Sequence, residues 1–349
     1  MGPDGRQLYA NSFDGIDPKT TPFLDVYDHP PEIIERSQSD VVFPFTDQTL
    51  RCAQSISKSY VGYTFWKVLK DYNRLMPEQE NIQLTDSISI LIPELGSTSI
   101  TVLDVLNMRV PIDLDVKNDD GTKKEFTDPN HPLRHMLRQK SPVQGHVIPR
   151  LHNVPIQHDK SFNYTGSMTV LLWECTKRLA ETISEKDPTY PTKVEELVST
   201  VLGKDIHWYT WKASGMPSPT SGVHLSHQDF VGVTATIAKD KAFLEAVMQH
   251  KQDAHVTGQP PQIDDAYGLQ CWVLDHPDTD GITEIAMIGN GGQRASIFIK
   301  VRGLGHHKRI DVHGISCINA GNYFVRGLQQ QLPSGVLMKD YILPILNAR

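Results

Sequence analysis

The sequence predicts an α/β (α+β) fold in which a sheet lobe, built from both ends of the chain, carries an inserted and mostly helical lobe. Three observations lead there. From Ser55 onward, apolar residues recur at helical spacing through the middle of the chain. The last third changes to short β-rich runs separated by Gly-rich turns. A lone strand-like run, Gln7-Leu8-Tyr9-Ala10, stands near the start between Gly5 and Gly15. The expected division is residues 1–50 with 265–349 for the sheet lobe and 51–264 for the helical lobe, one structural unit with a site between them.

Taken in order, residues 16–48 are rich in Pro and Asp, lack periodicity and read as an irregular surface connection. Ile56, Tyr60, Val61, Phe65, Val68 and Leu69 then share one broad helical face. Residues 86–95 form a short apolar segment ended by Pro93 and Gly96. Val102 to Met108 reads as a short helix capped by Thr101 or Ser99. Residues 110–160 are polar and rich in Pro, His and Asp. They are too long for a plain loop and predict a lid or binding wall. A second helix over Ser167 to Ser184 turns Met168, Leu171, Leu172, Cys175 and Leu179 inward. Prolines and glycines break 186–221. A further helical region lies between Ser226 and His250, although the consecutive Lys239, Asp240 and Lys241 cannot all face outward. After a polar break at 251–265, Leu269 to Leu274, Glu284 to Ile288, Ala295 to Val301 and Arg309 to Ile315 read as strands. An apolar helix, Gly335 to Leu346, closes the chain.

Composition bounds the function. The 349 residues suffice for a sizeable core, and 39% hydrophobic with 21% charged residues is ordinary for a globular chain. A net charge of −7 without any Lys/Arg block argues against a nucleic-acid platform. No apolar run approaches the ~20 residues that cross a bilayer, and the first ten residues lack an apolar signal core, so a cytoplasmic location is expected. The four cysteines, Cys52, Cys175, Cys271 and Cys317, are scattered; free thiols in a reducing compartment are expected and a structural zinc site is not. The partners expected are a small-molecule substrate and, at most, a second copy of the chain in a homodimer, with no nucleic acid and no membrane.

Chemistry concentrates in three segments. Ser55-Ile56-Ser57-Lys58 is a Ser-x-x-Lys at the start of a helix, where residues three apart share a face. A serine hydroxyl needs a neighbouring base, and a lysine serves when burial or a nearby cation lowers its pKa. Backbone N–H groups at the helix start favour a developing oxyanion. Against this, one Ser-x-x-Lys in a chain of this size is expected from composition alone. Phe162-Asn163-Tyr164-Thr165-Gly166 precedes the second helix; Tyr164 is either a base pointed into a cleft or a half-buried structural tyrosine. Gly289-Asn290-Gly291-Gly292-Gln293 enters an apolar strand, which suits either close backbone approach to a ligand or a plain hairpin turn.

Other clusters are weaker. His227-Gln228-Asp229, with a distal His313, matches part of an iron facial triad. His306, His307 and His313 form a possible metal cluster that reads better as a solvated turn. Asn163 heads an Asn-x-Thr sequon. Gly289-x-Gly291 is no dinucleotide fingerprint, since a strand follows it.

In order along the chain, these segments resemble the class C β-lactamase-like serine hydrolase family, nearest to its 6-aminohexanoate-dimer (nylon-oligomer) hydrolase-like members. Gln7 to Gly15 is similar to the opening strand and Gln54 to Ser59 to the nucleophile motif. Leu91 to Leu95 with Ile100 to Met108 is similar to "iPEL … iTvrdLLnM", and Phe162 to Gly166 to the Tyr-x-Asn region. Ser221 to Ser226 with Asp229 is similar to "GGvhlSarDl", Tyr267 to Val273 to "YGyqwWv", and Gly289 to Gln293 to "GnGGQ". The resemblance covers roughly residues 5–302.

It implies a β-lactamase/transpeptidase-like fold, with a central antiparallel sheet flanked by helices. It also implies roles: Ser55 forms an acyl-enzyme, Lys58 accepts or relays its proton, and Tyr164 acts as base and then acid. The oxyanion hole would draw on Ser55 N–H and on Gly291, Gly292 or Gln293. Neither metal nor cofactor is implied. Three departures matter. Gly166 replaces a residue that is often Asn, Ser or Cys. The Gly289 segment lacks a leading Lys or His, which argues against true β-lactamase activity. Val110-Pro111 stands where relatives have a small residue and glycine.

The expected function is a serine-dependent hydrolase or acyltransferase acting on a small ester, amide or thioester. The alternatives are a non-hydrolytic cyclase or isomerase of secondary metabolism using Lys58 and Tyr164 as acid and base, and a ligand-binding pseudoenzyme.

Overall fold

The computed structural model describes residues 8–9, 50–112, 132–156, 160–254, 265–276, 282–289, 294–302 and 309–317. The expected connection at 16–48 and the closing helix at 335–346 lie outside them. The described residues form the mixed helix-and-sheet class expected. Strand β1 (Leu8–Tyr9) runs parallel to β2 (Leu50–Cys52). Two further short strands, β3 (His207–Trp208) and β4 (Val223–Leu225), complete a four-stranded sheet of order β1-β2-β4-β3.

Between β2 and β3 the chain is helical. Helix α1 (Ile56–Leu75) buries Ile56, Tyr60, Val61, Phe65, Val68 and Leu69, the face the spacing predicts. The apolar segment at 86–95 is two short 3-10 turns, Ile88–Ile90 and Pro93–Leu95. Helix α2 (Val102–Leu106) opens with a capping box: the Thr101 hydroxyl accepts from Asp104 N–H while the Asp104 carboxylate accepts from Thr101 N–H. Within residues 110–160, α3 (Pro132–Leu137) leads into a π-helical turn (Val143–Val147) and α4 (Ile148–Leu151). Helix α5 (Gly166–Lys186), capped by Thr165, packs along α1 and buries the five inward residues expected.

Three expectations need correction. Residues 186–221 contain a helix, α6 (Val194–Leu202). Its Val194, Leu197, Val198 and Leu202 follow helical spacing, and Gly203, at φ 66°, terminates it in the left-handed conformation. Pro188, Pro191 and Gly203 therefore mark its borders. The region 226–250 is two helices, α7 (His227–Lys239) and α8 (Lys241–His250). Asp240 ends the first and caps the second through its carboxylate and Phe243 N–H, which removes the conflict at 239–241. The strand expected at 269–274 begins instead as a turn. Leu269 and Gln270 connect β6 (Asp265–Gly268) to β7 (Cys271–His276), both with positive φ.

Six antiparallel strands form the second sheet. β5 (Gln252–Asp253) pairs with β6, and β7 is followed by β8 (Ile282–Ile288), β9 (Arg294–Arg302) and β10 (Arg309–Cys317), in the order β10-β9-β8-β7-β6-β5. Helix α7 packs on β9 and β10, α8 on β6, and α1 on β8. One core of buried apolar side chains runs from α1 and α5 into the inward faces of β7 to β9.

The β6–β7 turn meets α1 at Gly62. A Cβ there would lie 2.7 Å from Gln270 Cβ and Cγ and 3.0 Å from the Leu269 carbonyl. Alanine at an exposed mid-helix glycine gains about 1 kcal/mol; here the clash reverses the sign. Gly62→Ala is expected to lower stability by about 1–3 kcal/mol, read as a lower thermal midpoint. A raised midpoint would contradict this seating of the turn.

Candidate active site

Strand β2 turns into α1 through Ala53, Gln54 and Ser55. Gln54 takes a φ of 54°, uncommon for a residue with a side chain. The turn is pinned from the neighbouring strand: Ala53 N–H donates to the Val223 carbonyl at 2.8 Å. The buried Ser57 hydroxyl donates to the Gln54 carbonyl at 2.7 Å and accepts from Val223 N–H at 3.2 Å. One residue beyond Lys58, the Ser59 hydroxyl donates to the Gln270 carbonyl at 2.6 Å. Two of the three serines in this segment are therefore structural.

Ser55 is the half-buried one, and its side chain does not cap the helix it opens. Lys58 Nζ donates to Ser55 Oγ at 2.7 Å and to the Thr220 carbonyl at 3.3 Å. The same Nζ lies 4.9 Å from the centroid of the Tyr164 ring. Lys58 is only 6% exposed, so the ammonium is directed at these three groups rather than into bulk water. The N–H groups of Ile56, Ser57 and Lys58 are taken up by the carbonyls of Ala53, Gln54 and Ser55. Ser55 N–H has no partner among the described residues.

Tyr164 lies two residues ahead of α5 and is 39% exposed. Asn163 fixes it: its N–H donates to the Met108 carbonyl at 2.7 Å, and its amide donates to the carbonyls of Val110 and Ile112 at 3.4 and 2.8 Å. The segment containing Val110-Pro111 thus serves as the anchor for the Tyr164 turn. Phe162, Tyr164, Tyr267 and Trp272 form an aromatic cluster with ring centroids 5.1–6.2 Å apart. Burial, and then the neighbouring Tyr164 and Cys271, push the Tyr267 phenol well above its ordinary range.

The sequence-predicted residues divide clearly. Ser55, Lys58 and Tyr164 come together. Gly166 opens α5 and contributes no side chain to the space beside Tyr164. Gly291, Gly292 and Gln293 lie outside the described residues. The Thr220 carbonyl, Tyr267, Trp272 and Gln270 were not anticipated in the site. Tyr267 lies in a segment noted only for its resemblance, Gln270 and Trp272 also in the run expected as a strand, and no motif marks Thr220.

The other clusters resolve differently. The Asp229 carboxylate accepts from the hydroxyl of Ser226, which caps α7 through Asp229 N–H, and faces Lys204 Nζ at 3.3 Å, so it is already committed. Among the described residues no group of three or more His, Cys, Asp or Glu side chains is arranged to hold a metal ion. Cys52, Cys175 and Cys271 are free and buried, and burial raises the Cys52 and Cys271 thiols to about 12. No helix among the described residues is long and apolar enough to cross a membrane.

No protein-family model and no curated protein matches the chain. Solved structures do. A penicillin-binding protein from Bacillus halodurans is similar at 12% identity over 83% of this chain and 88% of its own, with a TM-score of 0.48. Simvastatin synthase from Aspergillus terreus is similar at 11% identity over 88% of each chain, with a TM-score of 0.46. A D-stereospecific amidohydrolase from Streptomyces is similar at 12% identity over 72% of this chain and 78% of its own, with a TM-score of 0.42.

Two histidines are buried, one on β4 and one in the π-helical turn. His224 on β4 is 1% exposed, packs its ring against Tyr209, and is lowered to about 4 by burial and then by His207, against a raising hydrogen bond with the Gly222 carbonyl. His146, in the π-helical turn, lies beside His135 with Nδ1 atoms 3.4 Å apart and is also lowered to about 4, by burial, Arg150 and His135. As pH falls, the unfolded chain protonates first, near 6.5. The stability these groups contribute is complete above that value and is lost as pH drops toward 4. His224 alone is expected to cost about 2–3 kcal/mol by pH 4.5. In urea unfolding, His224→Asn should show a flatter pH dependence between 6.5 and 4 than the native chain. An equally steep dependence would contradict the assignment.

Proposed function

We propose that this chain is a serine-dependent hydrolase or acyltransferase that works through a Ser55 acyl-enzyme on a small ester, amide or thioester. The observation that carries the reading is the 2.7 Å contact between Lys58 Nζ and Ser55 Oγ, with the Tyr164 ring 4.9 Å from the same nitrogen. A nucleophile–base pair needs hydrogen-bond reach and a third group to orient the base. Here Lys58 has that reach, and the Thr220 carbonyl and the Tyr164 ring hold it in place.

In this reading Ser55 Oγ attacks the substrate carbonyl carbon. Its proton passes to Lys58 or Tyr164 as the base, and the oxyanion forms against Ser55 N–H. Collapse of the tetrahedral intermediate breaks the bond to the leaving group, which takes up that proton. Water or an alcohol then attacks the acyl carbon, gives its proton to the same base, and releases the acid or the new ester while Ser55 Oγ is reprotonated. The acyl portion lies between the sheet and helical lobes, where the aromatic cluster offers an apolar wall. The Gly291–Gln293 segment is assigned the second oxyanion donor on the strength of the sequence resemblance. The sequence resemblance to the nylon-oligomer hydrolase-like members of the class C β-lactamase-like family supports this reading.

A second reading keeps Lys58 and Tyr164 but not the acyl-enzyme, as in a cyclase or isomerase. The absence of a side chain at Gly166 favours it, because no polar group there orients a leaving group.

Hydrolysis of p-nitrophenyl butyrate separates the two. Ser55→Ala should lose at least ~10³-fold in kcat/KM. Lys58→Met should fall comparably, and Tyr164→Phe by about 10²–10⁴-fold. The native enzyme should release a burst of p-nitrophenol equal to the enzyme concentration if deacylation is slow. Full activity in Ser55→Ala would remove the acyl-enzyme reading.

A further inference from the structure

We infer that Gln270 is a positioning residue for the Ser55 centre, tying the helix that carries Ser55 and Lys58 to the helix that begins beside Tyr164. The inference rests on the acyl-enzyme reading and adds a residue to it that touches no reacting atom.

The β6–β7 turn places Leu269 at φ 48° and Gln270 at φ 66°. Two-residue hairpin turns of this kind usually carry Asn-Gly, because side-chain residues resist positive φ at both positions. Leu269 and Gln270 therefore occupy a conformation that the surroundings must hold. Leu269 N–H donates to Asn107 Oδ1 at 2.9 Å, and Asn107 Nδ2 donates to the His250 carbonyl at 2.7 Å. Gln270 N–H donates to the Leu106 carbonyl at 3.0 Å. These backbone bonds already seat the turn on α2.

The Gln270 side chain does something more. At 1% exposure, its Nε2 donates to the Leu106 carbonyl at 2.9 Å and to the Val105 carbonyl at 3.3 Å. Its Oε1 accepts from the Thr169 hydroxyl at 2.9 Å, and its backbone carbonyl accepts from the Ser59 hydroxyl at 2.6 Å. Ser59 is the residue after Lys58 on α1, and Thr169 lies in the first turns of α5. One buried residue thus bonds α1, α2 and α5 together. Glutamine suits the place because it offers donors to two carbonyls and an acceptor to a hydroxyl. Glutamate would turn a charge toward those carbonyls, and leucine would remove one donor from each of them and the acceptor from Thr169.

The consequence for the site is geometric. Lys58 travels with α1, and Tyr164 with the start of α5. The separation of those helices sets the 4.9 Å from Nζ to the Tyr164 ring. The same hairpin carries Tyr267 and Trp272, which pack on Tyr164 from the side of the sheet. Gln270 therefore controls Tyr164 from two directions, and Gly62 is the space that lets it come close enough.

The test is the rate at which a fluorophosphonate labels Ser55, measured against pH in the native chain and in Thr169→Val, Thr169→Ser and Gln270→Met. Thr169→Val keeps shape and removes one bond; Thr169→Ser restores the hydroxyl. In variants whose near-ultraviolet circular dichroism matches the native chain, Thr169→Val and Gln270→Met should label about 10–100-fold more slowly, the scale of a misplacement near 1 Å. The midpoint of the acid limb of their pH profiles should also move. Thr169→Ser should return both to native values. A folded Thr169→Val that labels at the native rate with the native midpoint overturns the inference and leaves Gln270 structural. If Gln270→Met does not fold, the Thr169 pair decides alone. If the native chain takes no label at Ser55, the acyl-enzyme reading falls and carries the inference with it, so the native control tells the two failures apart.

Discussion

The approach of the β6–β7 turn to Gly62 fixes how the six-stranded sheet meets the helices. A glycine in the middle of a 20-residue helix weakens that helix, and two side-chain residues at positive φ strain the turn opposite. Each is unfavourable alone. Together they allow van der Waals contact between α1 and a hairpin backbone, and they let a buried glutamine bond to three helices at once. The aromatic residues on either side of the turn, Tyr267 and Trp272, then reach Tyr164.

The Ser55 turn works by a related economy. Gln54 bends the chain sharply, and the orphaned groups around it are satisfied by Ser57, which bonds both to Gln54 and to β4. Ser59 is used by the hairpin. What is left without a structural task is the Ser55 hydroxyl, facing the Lys58 ammonium. Its own N–H has no partner among the described residues either, while the turn's carbonyls engage the next three N–H groups. The proposed nucleophile, base and oxyanion donor are thus the groups that one tight turn does not use for its own hydrogen bonds.

Local features were legible in the sequence, and long-range ones were not. The faces of α1 and α5 follow from helical spacing, and the Thr101 cap from its position ahead of an apolar run. The contact between Ser55 and Lys58 is three residues long and needs only a helix. Helix α6 was missed because Pro188, Pro191 and Gly203 read as breaks in a loop, although they bound a helix of nine residues. The break at Asp240 showed itself as a run of polar residues that no single helix accommodates, yet only the carboxylate on Phe243 N–H reveals why. The Leu269-Gln270 turn carries no Asn or Gly, so nothing in the sequence separates it from the strand that follows. Lys58's third neighbour, the Thr220 carbonyl, lies 162 residues away and belongs to a loop held by the four-stranded sheet.

The proposed chemistry turns on one oxygen atom, Ser55 Oγ. A crystal structure of the protein soaked with phenylboronic acid asks about that atom directly, since boron forms a tetrahedral adduct with an activated serine. The expected result is continuous density from Ser55 Oγ to a tetrahedral boron, with a boron hydroxyl within reach of Ser55 N–H and another facing Lys58 and Tyr164. Trigonal boronic acid beside an unmodified Ser55, or an adduct on a different residue, would contradict it.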